Sequence, residues 1–182
     1  MRIAILGRGN VGGGLAKFWE AAAHEVSAFG RDGGEASSAD VVVVALPSDS
    51  IKDAFAKVTG FEGKPAIDAT NAYVGRDESF PSLAHEVKSI TGGPVAKAFN
   101  LNFSATYGEI AAQRLPPSQL WCGDEEARDV TERLIRDVGY EPVAAGGLEN
   151  ARVLEDFVMA LAATWETFGG PAVYRFARPG EL

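Results

Sequence analysis

The amino-acid sequence predicts an α/β fold in which one domain, residues 1–182, builds a doubly wound, mainly parallel sheet. Short apolar runs such as 3–6 and 41–46 have no polar face, as expected of strands covered on both sides of a parallel sheet. Stretches with apolar residues at helical spacing follow most of these runs, and this alternation is typical of parallel α/β sheets. A chain of 182 residues is long enough for one core of ordinary size.

The predicted first strand and first helix are joined by glycines. Gly7, Gly9 and Gly12 fit the pattern G-x-G-x-x-G, and an apolar helix face begins at Val11. In this pattern the first glycine permits a tight turn, the second lets the backbone approach a pyrophosphate, and the third lets the helix pack closely on the strand. Free N–H groups and the positive end of the helix dipole meet the ligand's charge. The pattern therefore predicts a Rossmann-type dinucleotide site; the alternative is a glycine turn that serves packing alone.

The remaining elements follow in order along the chain. Strands are predicted at 25–29, 41–46, 65–68, 95–99, 119–122 and 141–143, and helices over 51–58, 83–90, 125–138 and 148–168. The segment 30–40 between the second and third strands is rich in glycine and serine and is too short for an ordinary crossover helix. This abbreviated second crossover is expected to be a loop or a single turn. Long loops at 69–81 and 100–118 follow strands, where sheets of this type keep their ligand-contacting segments.

Composition and charge exclude several classes of function. A net charge of -8 opposes binding to nucleic acid, which requires a basic face. No apolar run approaches the length of a membrane span, and the first strand occupies the place of a signal peptide, so we expect a cytoplasmic protein without a membrane partner. The single cysteine, Cys122, cannot form an intramolecular disulfide and is expected in a buried strand. His24 and His85 are expected at the surface and have no partner at metal-ligand spacing, so no metal site is predicted.

The residues after the second strand indicate which dinucleotide binds. At this position an acidic residue binds the ribose hydroxyl of NAD, whereas an arginine binds the 2′-phosphate of NADP. The sequence here is Gly30-Arg31-Asp32. Gly30 leaves room for a phosphate and Arg31 offers a planar set of donors for it, whereas Asp32 could bind a ribose hydroxyl or pair with Arg31. NADP(H) is therefore the favoured cofactor. Arg8 either adds a second positive charge to the site or is a solvated side chain without a role in binding.

The C-terminal segment, residues 148–182, is predicted to begin with a long helix. Its apolar residues form one stripe that includes Leu154, Phe157, Val158 and Phe168. One interpretation is that this stripe covers the sheet. The other is that part of it forms a homodimer interface, because aromatic residues at the edge of the domain would otherwise expose a large apolar patch.

Several segments, in order along nearly the whole chain, resemble the NADP-dependent oxidoreductases of the coenzyme F420 family. These are small Rossmann proteins that move hydride between NADP(H) and a deazaflavin. The segments are 7–12 (GRGNVG), 30–31 (GR), 45–47 (ALP), 67–71 (IDATN), 97–100 (KAFN), 123–127 (GDEEA) and 148–155 (LENARVLE). Their order and spacing carry the resemblance, because no single segment is specific.

The resemblance implies an NADP(H) site and an acceptor pocket. Together with the glycine turn, the predicted cofactor-binding residues are Gly7, Arg8, Gly9, Asn10, Val11, Gly12, Gly30, Arg31, Leu46, Pro47 and Asn71. The acceptor pocket is placed at Asn71, Ala98, Phe99 and Asn100, near the nicotinamide; the alternative is that both asparagines bond their own backbone. The chain departs from the family pattern at Ala72, Leu101 and Gly147 and in lacking a helix after the second strand.

Three functions fit the sequence, two of them with a small-molecule substrate. The first is hydride transfer between NADP(H) and coenzyme F420 or a flavin, which needs stacked rings and excluded water more than an acid or base, so no catalytic residue is assigned. The second is reduction of a small carbonyl or imine compound, for which Lys97 is the candidate proton donor unless it only closes its strand. The third is a non-catalytic NADP(H)-sensing module.

Overall fold

A seven-stranded sheet forms the centre of the computed structural model, which describes residues 1–181. The strands are β1 (Arg2–Leu6), β2 (Glu25–Phe29), β3 (Gly34–Glu35), β4 (Val41–Val44), β5 (Val58–Thr59), β6 (Ala66–Asp68), β7 (Val95–Lys97), β8 (Ser118–Gly123) and β9 (Glu141–Ala144). The α-helices are α1 (Asn10–Ala21), α2 (Ile51–Phe55), α3 (Leu83–Thr91), α4 (Arg128–Val138), α5 (Ala151–Ala163) and α6 (Trp165–Phe168). Short 3-10 helices cover Ser48–Ser50, Ser104–Ala112, Glu125–Ala127 and Leu148–Asn150.

The strands of the large sheet lie in the order β2-β1-β4-β6-β7-β8-β9. Neighbouring strands are parallel except for β7 and β8, which are antiparallel. Ile5 of β1 pairs with Ala28 of β2 on one side and with Val43 of β4 on the other. The chain therefore winds outward from β1 in both directions, which opens a crevice at the carboxyl ends of β1 and β4. The Rossmann-type, mainly parallel sheet predicted from the sequence is confirmed.

Hydrophobic cores lie on both faces of the sheet, because successive residues of a strand point to opposite faces. Ile5 faces the core shared with α1 and α4, whereas Leu6 faces the core shared with α2, α3 and α5. Trp19 of α1 is fully buried in the first core, and its indole N–H donates to the carbonyl oxygen of Leu134 at 3.0 Å. This bond ties α1 to α4.

The second crossover contains no helix, as its length and composition predict. It instead forms β3, which pairs in parallel with β5 in a separate two-stranded sheet, with Gly34 opposite Val58 and Glu35 opposite Thr59. The sequence does not predict these strands, because two residues carry no periodic signal. The small sheet joins the second crossover to the third.

The C-terminal helix is present and is divided into two parts. At the division, the hydroxyl and the backbone N–H of Thr164 both donate to the carbonyl oxygen of Leu161, at 2.7 and 3.1 Å. Bonds to the residue three positions back tighten the helix into a turn. Leu154 and Val158 of α5 pack into the core on the sheet, so the interpretation that the apolar stripe covers the sheet is confirmed for these residues.

His24 is buried, so the expectation of a surface histidine is wrong. Its side chain is 1% exposed, and Nε2 lies 2.8 Å from a carboxylate oxygen of Asp137 in α4. The sequence could not show this contact, because the two residues are 113 positions apart. His85 is half-buried, with Nδ1 2.7 Å from the Ser82 hydroxyl at the start of α3. Cys122 is buried in β8 as predicted, and burial raises the pKa of its thiol to about 12.

A network of buried charges lies at the carboxyl ends of β6 and β7. The fully buried ammonium of Lys97 donates to Asp68 Oδ2 and to the carbonyl oxygen of Thr70, each at 2.7 Å. Its Nζ also lies 3.2 Å from Glu155 Oε1 of α5. The ammonium group is therefore fully occupied and closed to substrate. The structure therefore favours the interpretation that Lys97 only closes its strand, and it does not favour a role for Lys97 as proton donor.

Glu155 extends this network to the loop after β6 and to α3. Its Oε1 accepts a hydrogen bond from the backbone N–H of Leu83 at 2.9 Å, and its Oε2 accepts one from Arg76 at 3.0 Å. Burial raises the pKa of the Glu155 carboxyl, and the positive charges of Lys97 and Arg76 oppose that increase. Arg76 also pairs with Asp156. The network thus joins β6, β7, α3, α5 and the loop after β6.

Replacing Lys97 with alanine should strongly destabilise the fold, because Asp68 and Glu155 would stay buried without their cation. Removing one partner of a buried ion pair costs about 3–5 kcal/mol. Urea unfolding followed by tryptophan fluorescence measures the change in the free energy of unfolding. Lys52→Ala is the matched control, since the exposed Lys52–Asp77 pair should contribute little. Equal, small losses in the two variants would contradict a structural role for the network.

Candidate functional site

The glycine turn between β1 and α1 depends on two close backbone contacts. Gly7 has φ +115°, and a Cβ atom there would lie 2.2 Å from the carbonyl oxygen of Ala45. A Cβ atom at Gly12 would lie 2.1 Å from the carbonyl oxygen of Gly7. A side chain at either position would push the backbone apart, so both glycines are required by packing. The Gly7 N–H also donates to the carbonyl oxygen of Phe29 at 2.9 Å, which aligns the turn with the end of β2.

Gly9 is different, because it borders open space. A Cβ atom at Gly9 would meet no atom within 4 Å, and its φ of -75° is accessible to any residue. Gly9 is the N-cap of α1, and no side chain caps this helix. The N–H groups of Asn10 and Val11 therefore have no partner within the helix. Open space in front of free N–H groups at the positive end of a helix dipole suits a phosphate group.

Arg8 extends from the glycine turn to the end of β2. A Cβ atom at Gly30 would lie 2.0 Å from Nη2 of Arg8, so the guanidinium lies directly over Gly30. The space at Gly30 that the sequence suggested for a phosphate is thus filled by Arg8. Arg31 and Asp32 are exposed in a turn closed by a bond from the Gly33 N–H to the Gly30 carbonyl oxygen at 3.1 Å. Within residues 1–181, neither Arg31 nor Asp32 forms an ion pair, so the alternative pairing between them is not observed.

Leu46 and Pro47 follow the end of β4 and lie beside the glycine turn. A Cβ atom at Gly7 would lie 3.1 Å from Cδ2 of Leu46. Pro47 is exposed, and its carbonyl oxygen accepts a hydrogen bond from the Ser50 N–H at 3.0 Å, which starts the 3-10 helix before α2. The residues after β1, β2 and β4 therefore meet at one edge of the sheet, where a dinucleotide crosses in this fold.

Asn71 and Asn100 lie together at the ends of β6 and β7. The Asn71 side-chain amide donates to the carbonyl oxygen of Asn100 at 2.7 Å. The Asn100 side-chain amide donates to Asn71 Oδ1 and to the carbonyl oxygen of Leu154, each at 3.1 Å. The two loops that the sequence analysis paired are thus adjacent, but their asparagines bond each other. Bonding to their own backbone, the alternative prediction, is not what the structure shows.

Ala98 and Phe99 are buried in the core between these asparagines and β7. The ring of Phe99 packs edge-to-face on Trp19, with ring centroids 5.7 Å apart. Phe99 has φ +62°, which turns the backbone sharply at the end of the strand. Ala98 and Phe99 are 0% and 1% exposed as whole residues, so neither presents open surface to a ligand in this structure.

Tyr73 is a candidate functional residue that the sequence analysis missed. It is 61% exposed and follows Asn71 by two positions in the loop after β6. Partial desolvation raises the pKa of its hydroxyl, and the nearby side chain of Asn71 opposes that increase. A phenol carries its proton at neutral pH and can donate it. A single tyrosine in a polar loop gives no sequence signal, so its place beside the asparagine pair is visible only in the structure.

A large open groove begins at the glycine turn and runs along α1. Its volume is about 1180 Å³, and its walls are α1 and the 3-10 helix Ser104–Ala112. Small residues make up much of both walls: Gly13, Gly14, Ala21, Ala105, Gly108 and Ala111. Phe18 and Tyr107, which pack edge-to-face, add apolar surface. The sequence does not predict this groove, because the segment that forms its second wall has no helical periodicity.

None of the helices within residues 1–181 is both long and apolar enough to cross a membrane. In the same part of the chain, His, Cys, Asp and Glu side chains form no group of three or more that could hold a metal ion.

Comparisons with known proteins identify structures of similar fold. Neither a protein-family model nor a curated protein matches the sequence. A candidate F420-dependent NADP reductase from Arthrobacter sp. FB24 superimposes with a TM-score of 0.79 at 20% identity, covering 98% of this chain and 100% of that chain. A hypothetical protein from Sinorhizobium meliloti has a TM-score of 0.66 at 27% identity, covering 81% of this chain and 86% of its own. A reductive aminase from Aspergillus terreus, solved with NADPH and ethyl levulinate, has a TM-score of 0.66 at 14% identity, covering 92% of this chain and 62% of its own.

These similarities concern the fold, because the identities are low. The sequence segments that resemble F420-dependent NADP oxidoreductases lie in a chain that has the fold of a candidate member of that class along its whole length. The predicted resemblance is therefore confirmed at the level of the fold.

Proposed function

We propose that the protein is an NADP(H)-dependent oxidoreductase that transfers hydride between NADP(H) and a deazaflavin or flavin acceptor. The observation that carries the proposal is the glycine turn, in which Gly7 and Gly12 are required by packing while Gly9 faces open space at a helix N-terminus. These different roles match the dinucleotide-binding pattern, in which the second glycine lets a pyrophosphate approach the backbone. Proteins of similar fold include a candidate F420-dependent NADP reductase and an NADPH-bound reductive aminase, which supports this cofactor and this reaction. We also propose that the protein is cytoplasmic.

Each part of the site has a role in this proposal. The free N–H groups at the start of α1 bind the pyrophosphate, and Arg31 binds the adenosine end through the 2′-phosphate. Leu46 and Pro47 provide apolar surface along the path toward β6. NADP(H) supplies the hydride, and the protein binds and orients the two reactants and excludes water.

We place the acceptor at the edge formed by Asn71 and Asn100, next to the backbone of Ala98 and Phe99. The nicotinamide half of a dinucleotide extends from the glycine turn toward the later strands, and β6 and β7 follow β4 in this sheet. The hydrogen bonds between the two asparagines and to Leu154 hold an uncharged polar edge in one arrangement. Such an edge suits the heteroatoms of a deazaflavin ring.

The reaction is tested by NADPH oxidation, measured at its near-ultraviolet absorbance band with different acceptors. The acceptors are coenzyme F420, FMN, and a set of small carbonyl and imine compounds. Turnover with F420 or FMN supports the proposal. Turnover with a carbonyl or imine alone favours the second function, and NADPH binding without turnover favours a sensing module.

Gly9→Val should abolish NADPH binding while the protein still folds. The valine side chain would occupy the open space before the N-terminus of α1. Its Cβ atom would have no protein atom within 4 Å. Gly12→Val is the contrasting variant, because its side chain would strike the Gly7 carbonyl and should lower the melting temperature. Thermal unfolding and NADPH fluorescence titration measure the two effects. NADPH affinity retained by Gly9→Val would contradict the proposed site.

Asn100→Ala should lower turnover with the true acceptor and change NADPH affinity little, because the variant loses the polar edge and leaves the glycine turn intact. Asn102→Ala is a matched control. Both asparagines are 4% exposed, and the Asn102 amide also donates two hydrogen bonds, to the carbonyl oxygen of Ser118 and to Gln119. Steady-state kinetics compares the variants. If both variants lose turnover equally, the loss results from impaired folding, and the acceptor does not bind at Asn100.

The second candidate function, reduction of a small carbonyl or imine compound, is favoured by Tyr73, an exposed phenol beside Asn71. In this case Tyr73 would donate the proton that such a reduction requires. Tyr73→Phe should then lower turnover with the carbonyl or imine by at least about a hundredfold, the lower end of the usual contribution of a general acid, and leave NADPH affinity unchanged. Unchanged kinetics in the variant would remove Tyr73 from the mechanism.

We also propose that the outer face of the C-terminal segment 148–182, of which 148–181 are described, forms a homodimer interface. Val153, Phe157 and Phe168 are exposed there at 62%, 38% and 69%. Phe157→Glu should convert the dimer to a monomer, as measured by light scattering after size-exclusion chromatography, because burying the carboxylate would oppose association. Val74→Glu, at an equally exposed apolar residue outside this segment, is the control. A wild-type monomer would contradict the interface.

A further inference from the structure

We propose that the groove along α1 binds the phosphate-bearing side chain of the acceptor, with Lys17 as the residue that binds its anion. The inference rests on the proposed hydride transfer to a deazaflavin or flavin, and it names which members of that class the protein takes. Such an acceptor carries a planar ring system at one end of a polyol chain and a phosphate at the other. In this arrangement the ring lies at the edge formed by Asn71 and Asn100, and the chain lies in the groove.

The first wall of the groove is the face of α1 that turns away from the sheet. The buried residues of this helix are Gly12, Leu15, Ala16 and Trp19. The residues that line the groove recur at the helical spacing of three and four positions, and they are Asn10, Gly13, Gly14, Lys17, Phe18 and Ala21. Because Gly13 and Gly14 have no side chain, the backbone itself forms the wall there. Lys17 and Phe18 follow one turn further along.

The second wall depends on the period of the 3-10 helix. Three residues make one turn of such a helix, so side chains at every third position share a face. Along Ser104–Ala112 this spacing places Ala105, Gly108 and Ala111 on one face, and all three line the groove. A Cβ atom at Gly108 would have no neighbour within 4 Å. The small residues of this face therefore leave the space between the two walls open.

The two walls meet at an aromatic pair. A Cβ atom at Gly14 would lie 2.7 Å from both Cδ2 and Cε2 of Tyr107, so this ring lies directly against the backbone of α1. Phe18 packs edge-to-face on the same ring, with ring centroids 5.7 Å apart. Both residues line the groove. They provide apolar surface for the carbon chain of a ligand.

The charge along the groove favours an anion. The protein has a net charge of -8, yet no carboxylate lines the groove within residues 1–181. Lys17 is exposed, and in the same part of the chain its side chain forms neither an ion pair nor a hydrogen bond. A cleft whose charges have one sign concentrates ligands of the opposite sign. An anion can therefore bind Lys17 without breaking an existing contact.

The position of Lys17 separates this anion from the pyrophosphate. Lys17 follows Asn10, the first residue of α1, by seven positions. At a rise of roughly 1.5 Å per residue, the two backbone positions are about 10 Å apart along the helix axis. The groove is also continuous in sequence with the proposed acceptor edge, because Ser104, which lines it, follows Asn100 by four positions. The acceptor's phosphate is thus the anion assigned to Lys17.

Fluorescence titration tests the assignment with two pairs of ligands: FMN with riboflavin, and coenzyme F420 with its phosphate-free deazaflavin. Saturating NADP⁺ is present, so that the acceptor's phosphate cannot bind at the pyrophosphate site. In the pair that the protein uses, the phosphate-bearing member should bind more tightly. Lys17→Ala should reduce its affinity by about tenfold, the effect of losing one charge-assisted bond, and leave the phosphate-free member unchanged. Lys17→Arg should keep the preference, because it keeps the charge.

Gly108→Leu tests the groove independently of charge. The leucine side chain would enter open space, so the melting temperature and the NADP⁺ affinity should stay unchanged while both members of the pair bind at least about tenfold more weakly, because the chain that they share no longer fits. Lys57→Ala is the control for Lys17→Ala. It removes another exposed lysine, one that does not line the groove, and should leave the preference for phosphate unchanged.

The outcomes separate this inference from the proposed function. Equal affinity for both members of a pair, or a Lys17→Ala variant that behaves like Lys57→Ala, overturns the groove site, and so does full affinity in Gly108→Leu. Hydride transfer to that acceptor still stands in these cases if the wild-type protein oxidises NADPH with it. If no member of either pair binds or is reduced, the groove site and the proposed acceptor fail together.

Discussion

The candidate site depends on the close approach of backbone to backbone at the glycine turn. Gly7 and Gly12 lie so near the carbonyl oxygens of Ala45 and Gly7 that no side chain fits at either position. This contact sets the first turn of α1 against the ends of β1 and β4, so its free N–H groups face the crevice of the sheet. It also fixes where Arg8 leaves the turn, and the guanidinium then lies over Gly30. One steric constraint thus positions both the open space before the N-terminus of α1 and one of the cations beside β2.

The two ends of the crevice use charge in opposite ways. At the β2 end, Arg8 and Arg31 form no ion pair within the described chain, so an anion could bind there without breaking an existing one. At the β6 and β7 end, Lys97, Asp68 and Glu155 are buried and satisfied by one another. Charges in such a low-dielectric environment interact strongly and resist rearrangement. In the proposed function the first end binds the anionic ligand, and the second end holds the loops around Asn71 and Asn100 in place.

The fold could be predicted almost completely, and the site only in part. The strands and the longer helices carry apolar periodicities that local sequence displays, and the glycine spacing marks the turn between β1 and α1. The two-residue strands β3 and β5 carry no such signal, and the long 3-10 helix Ser104–Ala112 has no α-helical period. His24 illustrates the same limit for single residues, since its burial results from Asp137, far away in the sequence.

The sequence by itself determined the α/β class, the strand and helix order, the short second crossover and the glycine turn, because each depends on local periodicity, length or steric freedom. Only the tertiary structure decided which polar groups are free and which are occupied. From the sequence alone, the side chains of Lys97, Asn71 and Asn100 could each be assigned to a ligand. In the fold they form hydrogen bonds with groups from distant segments of the chain. The sequence left Arg8 open between a site residue and a solvated side chain, and the packing at Gly30 decided where its guanidinium lies. The reason is that hydrogen-bond and ion-pair partners are set by three-dimensional proximity, which spacing along the chain does not encode.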